Sequence, residues 1–396
     1  VSTKSVSAPV PGARRRLSWN DPGVRAVAYQ VLAVAAVGLV IWFLVSNTLH
    51  NLAARNIATG FGFLWREAGF AIGETLIDYG PANSYGRAIV VGLVNTLRVA
   101  LIALVLSTLL GILIGIARLS RNWLINRLAS VYVEVMRNVP LLIQLFFWYA
   151  VITENMPAPR LALHPLPGVF ISNRGLKLPA LQGDALDWML WGLALAIVAI
   201  VGLHRWGARR QDATGKVFPL GRAALGLVVC LPALGWLASG ASLTLDMPVL
   251  KGFNFQGGMT LTPEFAALLA GLTIYTSAFI AEVVRSGIQA VNHGQTEAAS
   301  SLGLRRGLVL RLVVLPQALR VIIPPMTSQY LNLTKNSSLA VAIGYPDIVS
   351  VVNTTLNQTG QAIEGILIIM AAYLTVSLSI SIFMNWYNKR IALVER

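Results

Sequence analysis

Several stretches of this chain run for about 18 or more apolar residues without interruption, the length at which a helix can cross the hydrocarbon of a bilayer. No other feature narrows the possible folds so far, because in hydrocarbon every backbone N–H and C=O must be satisfied within the spanning structure itself. Eight spans are read at about 25–46, 86–117, 131–152, 187–203, 223–240, 262–284, 321–343 and 362–387. The expected fold is therefore an all-α polytopic membrane protein with loops and short surface helices but no second large soluble domain. Composition agrees: of 396 residues 56% are hydrophobic and 12% charged, against roughly 45–50% and about 25% in soluble domains. The first run is long enough to span and is followed by no A-x-A site, so it reads as a transmembrane helix rather than a cleaved leader.

The formal net charge of +15 could suggest nucleic acid, but nucleic-acid binders gather Lys and Arg on a solvated face. Here they sit in the short segments between greasy runs. Assigning those segments alternately to two sides puts 21 of the 31 basic residues on one side and seven on the other. By the positive-inside rule the rich side is cytoplasmic, which gives both termini a cytoplasmic expectation and an even number of spans.

Arg98, Arg137 and Lys335 fall within or at the edge of spans, as do Glu134 and Glu282. Intramembrane charges are costly enough to be functional candidates; the alternative is that they lie at the interface and snorkel. Glu134 and Arg137 are three apart on one helical face, suited either to a structural ion pair or to gating near the cytoplasmic entrance, and Glu282 and Arg285 form a second such set. Lys335 opens a polar quartet with Asn336, Ser337 and Ser338 inside an apolar run. Its ammonium needs a partner: a substrate carboxylate in transit, a carboxylate such as Glu282, or a group on another subunit.

The segment 294–320 has docking chemistry. Glu297, Ala298 and Ala299 begin a short helix with a small-residue face, and Glu297 is expected in the first turn, where the helix dipole favours an acid. Gly303 suits a left-handed C-cap. A basic amphipathic helix follows, which Pro316 is expected to end. A solvated interfacial loop would explain these features equally well on physics alone. The residue pattern favours docking. Glu297-Ala298-Ala299, Gly303 at the seventh position, and Leu315-Pro316 at the nineteenth and twentieth resemble the EAA loop of ABC importer permeases. The flanks extend the likeness: Ala281-Glu282-Val283-Val284-Arg285-Ser286-Gly287, Gly294-Gln295, Ile323-Pro324-Pro325 and Lys335-Asn336-Ser337-Ser338-Leu339, with Gly92 to Leu97 and Tyr132 to Phe147 upstream. The chain is thus similar to the polar-amino-acid, histidine-permease-like branch of those permeases.

That resemblance implies a type I importer permease core of five helices, here with one N-terminal and two inserted helices. The expected organisation is a cytoplasmic tail at 1–24, the first helix and an external segment at 25–85, core at 86–152, an insertion at 153–261, and core at 262–396 containing the coupling loop 294–320. With its long external segment and insertion, the chain is similar to the larger permease subunits of general L-amino-acid importers. The resemblance further implies a second permease subunit, with a heterodimer expected, two cytoplasmic ATPases, a periplasmic amino-acid-binding protein, and a place in the bacterial inner membrane. Substrate would pass between the permease subunits, with Lys335, Asn336, Ser337 and Ser338 along the pathway. Pro324 and Pro325 would kink the helix that links the docking loop to it, or be a packing kink only. Where the family often has aspartate and threonine, this chain has Asn336 and Ser337, which removes an intramembrane carboxylate.

No G-x-x-x-x-G-K-[ST] phosphate loop is present, and Thr214-Gly215-Lys216-Val217 lacks its upstream glycine and hydroxyl residue. The chain is therefore expected to bind no cofactor, ATP and magnesium belonging to the partner ATPase. His50, His164, His204 and His293 lack ligand spacing and Cys230 is alone, so no metal site is expected. An intramembrane enzyme would need a nucleophile with its base, and none is evident. A secondary transporter or channel that works without an ATPase is the rival; it would usually show paired broken helices.

Overall fold

Among the residues that the computed structural model describes (22–54, 59–182, 185–215, 218–240 and 244–391) seven helices are long and apolar enough to cross a membrane, and a sharply bent pair makes an eighth. The tail read at 1–24 lies outside the described residues up to position 21, as do Lys216 and Arg396. The spanning helices are α1 (Pro22–Ala54), α2 (Tyr85–Ala117), the pair α3 (Trp123–Asn138) and α4 (Leu141–Asn155), α5 (Ala185–Thr214), α6 (Leu220–Ser239) and α7 (Pro263–Gln289). After the short helices α8 (His293–Ser301) and α9 (Arg306–Val309) come α10 (Leu315–Asn336), the non-spanning α11 (Ile348–Thr359) and α12 (Ala362–Ile391). Every expected span has a counterpart.

The third differs in shape. Instead of one helix over 131–152, α3 and α4 meet at 106°. Pro140 carries no N–H and disfavours helical geometry at the residue before it; Val139 accordingly sits at φ −90°, ψ 125°. The buried Gln144 side chain donates to the carbonyls of Met136 and Val139, both at 3.0 Å, satisfying acceptors that the end of α3 leaves open.

The insertion is not purely helical. Strands β1 (Leu163–Leu166), β2 (Val169–Ser172), β3 (Gly175–Leu178) and β8 (Met259–Leu261) form one antiparallel sheet, while β4 (Ala180–Gln182) pairs with β5 (Thr244–Asp246) and β6 (Val249–Lys251) with β7 (Asn254–Gln256). Strands of three or four residues are too short for a period-two pattern to register in sequence. They act as a neck: β4 and β5 join the outer ends of α5 and α6, which pack on each other, and β8 pairs with β3 just before α7 begins. The helical hairpin is thereby grafted onto the core without interrupting it.

The core is the parallel pair α2 and α7. Buried residues Val99, Ala103, Leu268 and Leu272 line it, with Leu145 packed alongside. In a bilayer, helix association relies on close backbone approach because lipid is as apolar as leucine. Gly111 and Gly115 supply that approach. A Cβ on the first would lie 2.5 Å from Ile280 Cγ2, and on the second 2.8 Å from the Ala281 carbonyl oxygen. Replacing Gly111 or Gly115 with leucine should overpack the seam and cost about 1–3 kcal/mol or more, lowering the melting temperature of the detergent-purified protein on size-exclusion. Gly226→Leu, at a position in α6 with nothing within 4 Å, should leave it unchanged.

Candidate functional site

Three groups of side chains are brought together by this frame. The first is the loop between α7 and α10. Asn292 caps α8, accepting from Gly294 N at 2.9 Å. Glu297 lies in the second turn, not the first, and its carboxylate is 3.0 Å from His293 Nδ1 on the exposed face. The expected dipole role at the first turn therefore falls away. Ala299 is buried and Ala298 exposed, so the small residues face both the bundle and the open side. Gly303 is left-handed at φ 75° and its N–H donates to Ser300 O at 3.0 Å, matching the expected C-cap. Pro316 does not end a helix. It stands in the first turn of α10, directly after a π-helical turn at Leu310–Val314 that continues from α9. The wider turn accommodates the carbonyl that a proline ring would otherwise strike. Leu315 and Pro316 are exposed on this continuous rod, which runs through Pro324 and Pro325 without a break.

The second group sits where α2 and α7 reach the loop. Glu282 accepts from Arg118, at the C-cap of α2, and from Arg285, whose Nη1 also donates to Gln289 Oε1 at 2.6 Å. One carboxylate thus holds two guanidiniums across two helices. It does not pair with Lys335. Glu134 and Arg137 form no ion pair either: both are exposed, and the Arg137 guanidinium lies 5.1 Å over the Phe279 ring.

The third group is on α10. Lys335 is exposed, and its ammonium makes no hydrogen bond or ion pair among the described residues. The quartet it opens is divided. Ser337 is fully buried and donates to Thr334 O at 2.7 Å, Ser338 donates to Lys335 O at 2.8 Å, and Asn336 is half-buried. A longer polar surface emerges instead. Ser328, Asn332 and Lys335 recur at helical spacing on the exposed side of α10. Ser328 and Asn332 were missed because the contiguous polar run drew attention from the period; spacing alone could have found them.

At the opposite end of the bundle, the segment before α2 enters the core. Glu74 is buried, and its carboxylate accepts from Arg98 Nη1 at 2.6 Å and from Thr262 Oγ1 at 2.7 Å. Asn95 Nδ2 donates to Glu74 O at 2.8 Å and to Pro346 O at 3.0 Å. Arg98 also stacks 4.5 Å from the Phe265 ring centre. It is therefore a paired intramolecular charge rather than a snorkelling one. Nearby, Asp347 caps α11 by accepting from Ser350 N at 2.8 Å, and the Tyr373 hydroxyl lies beside its carboxyl group. Burial pushes this carboxyl up to about 7. Among the described residues no three His, Cys, Asp or Glu side chains assemble as metal ligands.

A bundle of apolar helices with an exposed loop at one end and a polar face on one long helix is an arrangement that a transport permease can use. Residues 220–393 match the family described as binding-protein-dependent transport system inner membrane component. The chain is 52% identical over 382 residues to a putative amino-acid ABC transporter permease protein, YhdX, of Escherichia coli K12, covering 96% of this chain and 97% of that one. It is 49% identical to the general L-amino acid transport system permease protein AapQ of Rhizobium johnstonii, covering 96% of each. It is 41% identical to the glutamate/glutamine/aspartate/asparagine transport system permease protein BztB of Rhodobacter capsulatus, covering 98% of each. Among solved structures, an amino acid ABC transporter with histidines aligns at 23% identity and a TM-score of 0.46 over 77% of this chain and 95% of that one. The chain belongs to the permease subunits of amino-acid ABC transporters.

Two outcomes follow from these clusters. Glu282→Gln should weaken the α2–α7 clamp by on the order of 1–3 kcal/mol, with Glu282→Ala at least as damaging, read as a lower melting temperature. For Asp347 the native state holds its proton more tightly than the unfolded chain, so stability falls as pH rises from about 4 to about 7 and is level above. Asp347→Asn keeps the cap and should flatten that slope; an unchanged slope in the variant would assign it to other groups.

Proposed function

We propose that this chain is the larger permease subunit of an ATP-driven importer for L-amino acids of varied side chain. In this reading it forms the translocation pathway with a second, different permease subunit. Two cytoplasmic ATPases bind the loop around Glu297, Ala298, Ala299 and Gly303, ATP and magnesium staying on them, and an external binding protein delivers the amino acid. The observation that carries the proposal is the 49% identity to a general L-amino acid permease across 96% of both chains. The reading places the chain in the bacterial inner membrane with both termini cytoplasmic, supported by the 21 to seven division of basic residues.

Mechanism follows from the connectivity. Closure of the ATPase dimer moves α8, and α8 is tied through α9, the π turn, Leu315 and Pro316 to α10. A helix transmits such motion as a rigid body. Glu282, with Arg118 and Arg285, holds the loop ends of α2 and α7 so that they move together, and Arg137 and Glu134 lie near the same entrance. The polar face of α10 then lines the route. An ammonium turned towards lipid would cost several kcal/mol, so the face bearing Lys335, Asn332 and Ser328 is the one turned to the second subunit and the pathway. Lys335 meets the substrate carboxylate or a carboxylate of that subunit, and Asn336 and Ser338 flank it. Ser337 shapes the helix end from inside.

Reconstitution with the ATPases, second permease and binding protein should give ATP-dependent uptake; uptake by this chain alone, indifferent to ATP, would establish the secondary-transporter or channel alternative. Glu297→Lys and Gly303→Asp should reduce ATPase co-purification and uptake by about tenfold or more while insertion stays normal. Lys335→Met should impair uptake, and equal uptake of acidic, neutral and basic amino acids at wild-type rates would remove the lysine from the route.

A further inference from the structure

A cavity of about 420 Å³ opens between the coupling loop and the bundle, lined by Arg121, Thr296, Ser300 and Arg306 with an apolar wall that includes Leu310 and Val314. Its two guanidiniums come from separate elements: Arg121 from the turn between α2 and α3, Arg306 from the first residue of α9. Neither makes an ion pair or a hydrogen bond among the described residues. The contrast with their neighbours is sharp. Arg118 and Arg285 share Glu282, and Glu297 is engaged by His293. No carboxylate lines the cavity, so two positive charges share a concave space without compensation, which concentrates anions there.

The donor set selects among anions. Each guanidinium presents a planar fork of N–H groups, and Thr296 adds a hydroxyl whose hydrogen is uncommitted, whereas Ser300 already donates to Thr296 O at 2.8 Å. One carboxylate can hold two guanidiniums, as Glu282 does, but its two oxygens are then taken up and leave the Thr296 hydroxyl without an acceptor. A tetrahedral oxyanion has enough acceptors. We propose that this cavity binds a phosphate-class anion, the head group of an anionic phospholipid or free inorganic phosphate, which bridges the coupling loop to the α2–α3 turn. Arg306 and Thr296 move with the loop and Arg121 with the bundle, so a bound anion stiffens the junction through which the ATPase acts. Binding itself does not depend on the transport reading; only its effect on coupling does.

The test uses the whole transporter in nanodiscs of phosphatidylcholine alone or with phosphatidylglycerol. Native mass spectrometry reads retained phosphatidylglycerol, and protection of Arg121 and Arg306 from phenylglyoxal reads occupancy during titration with inorganic phosphate at constant ionic strength. Retention of phosphatidylglycerol with no protection by phosphate identifies the lipid head group; protection in phosphatidylcholine alone identifies the free anion. In both cases Arg121→Gln with Arg306→Gln should reduce binding about tenfold, while Arg305→Gln, one residue away and outside the cavity, should not. The proposal is overturned if neither probe binds, if the double variant binds like wild type, or if both arginines are protected only by the presence of the ATPases. If binding is present but the ratio of uptake to ATP hydrolysis is the same with and without the anion, the bridging role is lost.

Discussion

The approach of α2 to α7 is the constraint on which the other arrangements depend. Water supplies no drive for helix pairing inside a bilayer, so the pair must gain its stability from contact that larger side chains would prevent. Gly111 and Gly115 stand one turn apart on the face that meets Ile280 and Ala281. Because the two helices run parallel, each end of the seam gathers polar groups from both. At the loop end Arg118 reaches Glu282; at the far end Arg98 and Thr262 converge on Glu74. Both polar clusters require the register that the glycines set.

The two clusters differ in what they can do. Glu74, Arg98, Asn95 and Thr262 tie a preceding segment into the core through several hydrogen bonds around one buried carboxylate. Releasing it would leave that carboxylate without partners in a low-dielectric setting, a costly change. Glu282 is about a quarter exposed, so its two arginines can exchange partners with water at smaller cost. The loop end is therefore the more movable of the two.

How much of this could be read from the chain depends on whether the signal was local. Span positions are local: a run of apolar residues carries its own evidence, and each of the eight found its helix. The left-handed turn at Gly303 was legible for the same reason, since it needs only its own backbone, whereas the turn of α8 that holds Glu297 and the place of Pro316 at the start of α10 were not. Partners were not legible. Arg118 and Glu282 are 164 residues apart, and Glu74 and Thr262 are 188 apart, so only packing reveals them. The bend at Val139–Pro140 had a visible cause in Pro140, but apolar continuity through 131–152 outweighed it. The short strands of the insertion left no period to detect, and Ser328 and Asn332 were hidden because neither belongs to the contiguous run at 335–338: Ser328 sits between Thr327 and Gln329, and Asn332 between two leucines.

The π turn before Pro316 explains how a rod of this length can start at the exposed loop and continue unbroken into the bundle. From Arg306 to Ile343 the chain forms one candidate span of 38 residues, about 57 Å if helical throughout, nearly twice the roughly 30 Å of hydrocarbon. Its excess must lie beyond the bilayer core, and the loop end is where α8 and α9 attach. A break at Pro316 would let the loop move without the pathway. Absorbing the proline in a wider turn keeps the rod continuous from α9 into α10, which the proposed coupling requires. The prolines at 324 and 325 lie on the exposed side of α10 with Ser328, Asn332 and Lys335, so the backbone donors they lack are missing from the open face rather than from the packed one.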